Sequence, residues 1–167
     1  MLMDMVARNL WGGESYDGAI GGHVFYCRSS KTLRNKLHAS HKQFPVLLYQ
    51  FLQDVESQHF RCREIVVDTF SVNISQEAED VAALFRVKII PISAGTPQEN
   101  AFAESGVRVI GEMSRAFMAG APHLPKKCWG LADNWSCWVR DIKPQKSLGW
   151  KSSFEIRTAR KPPYHDL

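Results

Sequence analysis

Apolar residues recur at helical spacing in several stretches of the chain, with short β-branched and aromatic runs between them. Phe44 to Val55 sets Leu47, Leu48, Phe51, Leu52 and Val55 along one face, and Pro45 suits the first turn of such a helix. Ser75 to Leu84 reads as a second helix, with Ser75 as its cap and Glu77, Glu79 and Asp80 in early turns where the helix dipole favours acids. After a polar loop, Ser93 to Pro97, the spacing of Phe102, Val109, Ile110, Met113 and Phe117 predicts a third helix. Glu104, Arg108, Glu112 and Arg115 fall on its other side. A fourth helix carries Trp129, Leu131, Ala132, Trp135 and Trp138 as its apolar positions.

The intervening runs have strand character. Met1 to Val6 is an apolar run broken only by Asp4, His23 to Cys27 is a second strand, and Ile65-Val66-Val67 is a β-branched run ending in Asp68. Val87 to Ile92 is a short strand in which Pro91 calls for an edge position or an early end. Thr32 to His41 is basic and polar with no clear period. Strands alternating with helices predict an α/β domain whose sheet has helices on its faces. Residues 1–143 are expected to form that domain, and the basic tail 144–167 is expected to be largely irregular.

Composition narrows the class. In 167 residues, 44% hydrophobic and 23% charged content is that of a globular domain, and no apolar run reaches the length of a membrane span. The net charge of +4 is unevenly spread: residues 1–104 hold 10 Lys/Arg against 12 Asp/Glu, and residues 105–167 hold 11 against 5. A basic second half points weakly to a polyanion partner. Cys27, Cys62, Cys128 and Cys137 form no CxxC pair and are expected as reduced intracellular thiols. His38-Ala39-Ser40-His41 has the form of half a zinc site, but no cysteine pair follows at finger-like spacing.

Three acids stand out. Asp4 interrupts the first strand, where an unpaired charge is costly; Asp68 ends a central strand; Glu104 lies on the third helix, with 35 residues between it and Asp68. Carboxylates brought together in such a fold hold hard divalent cations, and two such cations promote in-line phosphoryl transfer.

With these acids go Thr96-Pro97-Gln98-Glu99-Asn100, the Arg108, Glu112, Arg115 pattern, and Leu124-Pro125 followed by Trp129 and Ala132. Together they resemble the integrase catalytic core of copia-type LTR retrotransposons, a retroviral-type integrase of the ribonuclease-H-like superfamily. The resemblance is strongest from about Glu56 onward, and Ser153-Phe154-Glu155 and Lys161-Pro162 extend it. It implies a three-layer fold with a mixed central sheet flanked by helices. The short passage between Asp4 and Asp17 leaves open whether the first strands are complete. It further implies Asp4, Asp68 and Glu104 as catalytic metal ligands for Mg²⁺ or Mn²⁺, acting on DNA by 3′ processing and strand transfer. Asp17 is the rival for the first ligand, although it looks more like the acid the family carries after its second strand, since Lys31 follows at the family's interval. Arg108, Arg115, Lys126 and Lys127 would contact nucleic acid. A homo-oligomer in an intracellular, nuclear setting goes with the family.

The sequence departs from the pattern where Asp68 runs into Thr69-Phe70-Ser71 instead of Asn-Gly, and at Ala101 and Ser105. The alternative is accordingly a catalytically inactive, diverged retrotransposon fragment that at most binds nucleic acid.

Overall fold

The plainest alternation along the chain is in β2 (Gly21–Tyr26), every residue of which is buried. His23 and Phe25 face one side of the sheet, and Val24 and Tyr26 face the other. The computed structural model describes residues 2–7, 13–58, 60–68, 75–92 and 97–164. In it β2 pairs antiparallel with both β1 (Leu2–Ala7) and β3 (Leu33–His38). β1 then pairs in parallel with β4 (Glu64–Asp68), and β4 with β5 (Lys88–Ile92). The result is a five-stranded mixed sheet in the order β3-β2-β1-β4-β5. The first three strands form a complete antiparallel set, which settles what the short passage before Asp17 left open. Pro91 stands on β5, at the sheet's edge, where its missing N–H costs no ladder bond.

Two layers of helix cover the sheet. On one face, α1 (Phe44–Ser57) and α2 (Gln76–Leu84) bury Phe44, Leu48, Phe51, Leu52, Ala78 and Ala82 against Phe25, Ile65 and Val67. Phe25 and Phe51 stack with ring centroids 4.0 Å apart. Pro45 lies at the start of α1, and the Ser75 hydroxyl accepts from the Ala78 backbone N–H at 3.3 Å, as a cap should. On the other face, α3 (Pro97–Gly120) and α4 (Trp129–Ile142) pack over Val24, Tyr26 and Leu33 through Ile110 and Cys137. α3 approaches closely at Gly106, where a Cβ would lie 2.7 Å from Leu33 Cδ2.

Two helical stripes differ from those predicted. On α3 the buried positions are Gly106, Ile110, Gly111, Ser114 and Met118, with Val109, Met113 and Phe117 only half-buried along one flank. The stripe is rotated because small residues let the backbone itself approach the sheet. On α4, Trp129, Ala132, Asp133, Ser136, Cys137 and Asp141 are buried, whereas Leu131 and Trp135 are exposed. Trp135 instead stacks on Trp138, with centroids 4.8 Å apart.

Beyond residue 143 the chain is more ordered than its polar, proline-bearing composition suggests. Gln145 bridges to Lys151, and α5 (Ser153–Thr158) starts from a reciprocal capping box between Ser152 and Glu155. The backbone hydrogen bond and the Ser152 hydroxyl hold the Glu155 carboxyl below the usual range. α5 packs on α4 through Arg157, whose guanidinium meets the buried Asp141 carboxylate at 2.7 and 3.3 Å.

Candidate metal and nucleic-acid site

Backbone register brings the first two acids together. Leu2 pairs with Val66 in the parallel β1–β4 ladder, so positions 4 and 68, each two residues on, stand level on neighbouring strands. Asp4 is also opposite Val24 on β2, and Asp68 is opposite Ile92 on β5. The side chains of Asp4 and Asp68 lie outside the described residues, as do Thr69 to Ile74 and Ser93 to Thr96, which include the departure after Asp68 and the first residue of the Thr-Pro-Gln segment.

Glu104 lies on α3, which packs beside β1 and β2. It is exposed, yet it precedes Val107, Gly111, Ser114 and Met118 by 3, 7, 10 and 14 positions. The exposed Arg115 stands eleven positions on, about three full turns, so helical periodicity sets Glu104 at the flank of that stripe. Its exposure agrees with the solvent side that sequence spacing predicts for it with Arg108. Arg108 is exposed and pairs with Glu112 at 3.6 Å, the i, i+4 pair of an ordinary helix surface. Arg115, seven residues further, shares that face and is also exposed. Lys126 and Lys127 stand exposed on a separate 3₁₀ turn leading into α4.

Asp17 is exposed in the loop before β2, not after a second strand. That loop is tied down by the Tyr16 backbone N–H, which donates to the Lys127 carbonyl at 2.8 Å. Among the described residues, no three His, Cys, Asp or Glu side chains are grouped to hold a metal ion, a statement that does not reach Asp4 or Asp68. No helix among them is long and apolar enough to cross a membrane.

Two polar clusters were read in the sequence only in part or not at all. The His38-x-x-His41 pair is joined by His23 from β2 in a row of rings, His41 to His38 and His38 to His23 each at 4.8 Å, ending against Phe44. Neither ring nitrogen of His23 or His38 has a hydrogen-bond partner. Burial above all, then the neighbouring imidazoles, pushes His23 down to about 3, and the same causes lower His38. The second cluster is Asp141 with Arg34 and Arg157. Its one sequence-level signal was the Ser152-x-x-Glu155 capping box, which announces the helix that carries Arg157.

No family profile matches the chain, and no curated protein emerges as a relative. Solved structures do resemble it. The HTLV-2 integrase catalytic core in complex with magnesium aligns at 15% identity over 93% of each chain, with a TM-score of 0.71. The catalytic core of BIV integrase aligns at 12% identity over 95% of this chain and 92% of that one, with a TM-score of 0.66. The integrase of a simian T-cell lymphotropic virus intasome, solved with PP2A regulatory subunit B56 gamma, gives a TM-score of 0.75 at 12% identity, over 98% of this chain and 54% of that one. At such identities the likeness is one of fold. The chain has the ribonuclease-H-like architecture of retroviral integrase catalytic cores.

Proposed function

We propose that this chain is an integrase-like catalytic core acting on DNA by phosphoryl transfer, with Asp4, Asp68 and Glu104 as the ligands of a divalent-metal site. The observation that carries the reading is the β1–β4 register. Adjacent strands run about 4.8 Å apart, so two level acids are within reach of one cation. Strand alternation assigns both positions to the sheet face of Val24 and Val66, the face covered by α3, and α3 carries Glu104 at the flank of its buried stripe. Three carboxylates without thiol or imidazole suit a hard cation such as Mg²⁺ or Mn²⁺. When bound, that cation supplies charge neutralisation at the phosphate and an activated oxygen.

The chain's own part is rigidity and orientation. Two acids are fixed by a central pair of strands and the third by a helix of 24 residues. Arg108, one turn beyond Glu104, meets the phosphate backbone and positions the strand without reading sequence. The Thr96-Pro97-Gln98 and Leu124-Pro125 segments favour a copia-type origin within this class. The HTLV-2 core is described with magnesium and in trimeric and dimeric forms, and the simian virus protein within an intasome. Metal and self-association are carried over from these structures, and DNA and a nuclear setting from the copia-type resemblance, as part of the proposal.

The test is processing and joining of labelled DNA ends by the folded chain in Mn²⁺. Wild type should act, chelation should abolish the activity, and Asp68→Asn and Glu104→Gln should reduce it to background. Asp4→Asn should be equally silent and Asp17→Asn should not; the reverse would make Asp17 the first ligand. One observation favours a second reading, nucleic-acid binding without catalysis. Arg108, Arg115, Lys126 and Lys127 are all exposed in the half of the chain with net charge +6. Inert wild type whose DNA affinity survives Asp68→Asn would establish that reading instead.

A further inference from the structure

A cavity of about 210 Å³ lies between the β2–β3 turn, the C-terminal half of α1 and the start of β4, and α5 closes one side with Ile156 and Arg157. Glu104 does not line it. One wall is apolar, lined by the stacked Phe25 and Phe51 together with Phe60. The other wall is polar and cationic: Arg34, Arg61 and Arg157, with the hydroxyls of Ser30 and Thr32 and the Cys27 thiol.

Charge on this wall does not balance. Arg34 and Arg157 share one carboxylate, Asp141, at 3.2 and 2.7 Å. The lining carboxylate, Asp54, is engaged by Lys36. Arg61 adds a further cation. Counting these six side chains, four are positive and two negative. Arg61 is exposed, whereas Arg34, Arg157 and Asp141 together carry one net positive charge on side chains 31%, 10% and 4% exposed. A buried net charge is costly unless an opposite charge meets it.

Hydrogen-bonding capacity points the same way. A guanidinium offers five N–H donors. Arg34 uses one on the Leu33 carbonyl and one on Asp141, and Arg157 uses three on Thr32 and Asp141. The Arg157 Nε–H is buried without an acceptor. The Cys27 environment also favours negative charge. Burial acts to raise its thiol pKa, but hydrogen bonds from Ser29 and Ser30 outweigh it and leave the thiol below its ordinary value.

We propose that this cavity is a binding site for a compact organic anion, a carboxylate or phosphate ester on a flat apolar body, with the anion on Arg34 and Arg157 and the body against the Phe25–Phe51 stack. The volume limits the ligand to something smaller than the usual drug-sized occupant of a pocket.

Phenyl phosphate and benzoate serve as probes, with benzyl alcohol as the neutral control, on the full chain in EDTA so that no divalent-metal site contributes. Thermal unfolding gives the affinity. Alkylation by iodoacetamide, followed by peptide mapping, reports on Cys27 separately from Cys62, whose thiol burial pushes up. Both anions, or one of them, should raise Tm in a saturable manner and slow alkylation of Cys27, whereas benzyl alcohol should do neither. Which anion acts identifies the headgroup. Arg34→Gln leaves Asp141 paired with Arg157 and should weaken binding about tenfold, the loss of one charge-assisted contact. Should that variant fail to fold, Arg61→Ala, at an exposed position, should weaken binding through charge alone. Absence of Tm rise and of Cys27 protection at tens of millimolar overturns the proposal. So does an equal effect of benzyl alcohol, or binding indifferent to whichever of the two variants folds.

Discussion

His23 has 0% exposure, with His38 on one side of its ring and Phe44 on the other. A proton placed on it would be a buried charge with no acceptor, which is why its pKa falls to about 3. In the unfolded chain the same ring titrates near 6.5. The folded-state value is the lower one, so the unfolded chain takes up the proton first on acidification. Stability is therefore complete above pH 6.5 and is lost as pH falls from there toward 3, by up to about 1.4 kcal/mol per pH unit for each such histidine. The urea midpoint is expected to drop between pH 7 and pH 5, and His23→Phe to flatten that dependence. A flat profile in the wild type would contradict the account. In the sequence His38 and His41 were visible as a pair, but His23 was not, because only the β2–β3 register, with His23 opposite Lys36 and Gly21 opposite His38, brings it alongside.

At the level of elements, α5 is tied to α4 by Arg157 on Asp141, an ion pair with both partners nearly enclosed. Asp141→Ala leaves two guanidiniums facing each other across an empty acceptor position. Breaking such a pair costs on the order of 3–5 kcal/mol, which a denaturant titration would read as a large fall in midpoint at unchanged slope. β1, β2, β4, β5 and four helices were legible because each carries a run or a period of apolar residues. β3 was not. Its sequence, Leu-Arg-Asn-Lys-Leu-His, is that of an edge strand whose charges are engaged elsewhere, Arg34 on Asp141 and Lys36 on Asp54. A polar edge of this kind discourages pairing with other chains and, by the same chemistry, hides the strand from a search for hydrophobic periodicity. The stripe of α4 was misread for a related reason: Asp133, Ser136 and Asp141 are inside while Leu131 and Trp135 are outside.

For the molecule as a whole, the candidate acids were grouped in the sequence by their resemblance to a family motif, whereas the pairing of β1 with β4 is a fact of strand order that no local pattern contains. The basic half invites a measurement at this scale. If Arg108, Arg115, Lys126 and Lys127 each neutralise one phosphate, the logarithm of DNA affinity should fall with the logarithm of salt concentration at a slope of about −3.6, at about −0.9 per contact. Replacing Lys126 and Lys127 with alanine should reduce the slope by about half. An unchanged slope would remove the 3₁₀ turn before α4 from the proposed DNA-binding surface.

The position of β1 has a consequence for how the molecule comes into being. Leu2–Ala7 is the first strand in sequence and the middle one in the sheet, between a hairpin partner close in sequence and a parallel partner that ends at Asp68. Until that later segment is available, the three antiparallel strands have an unprotected inner edge. Closing it requires a long loop to be ordered first, a non-local step that slows folding. On a ribosome, the nascent chain waits through α1 with its central edge open. Anything that delays residues 64–68 prolongs the interval in which that edge is able to template aggregation.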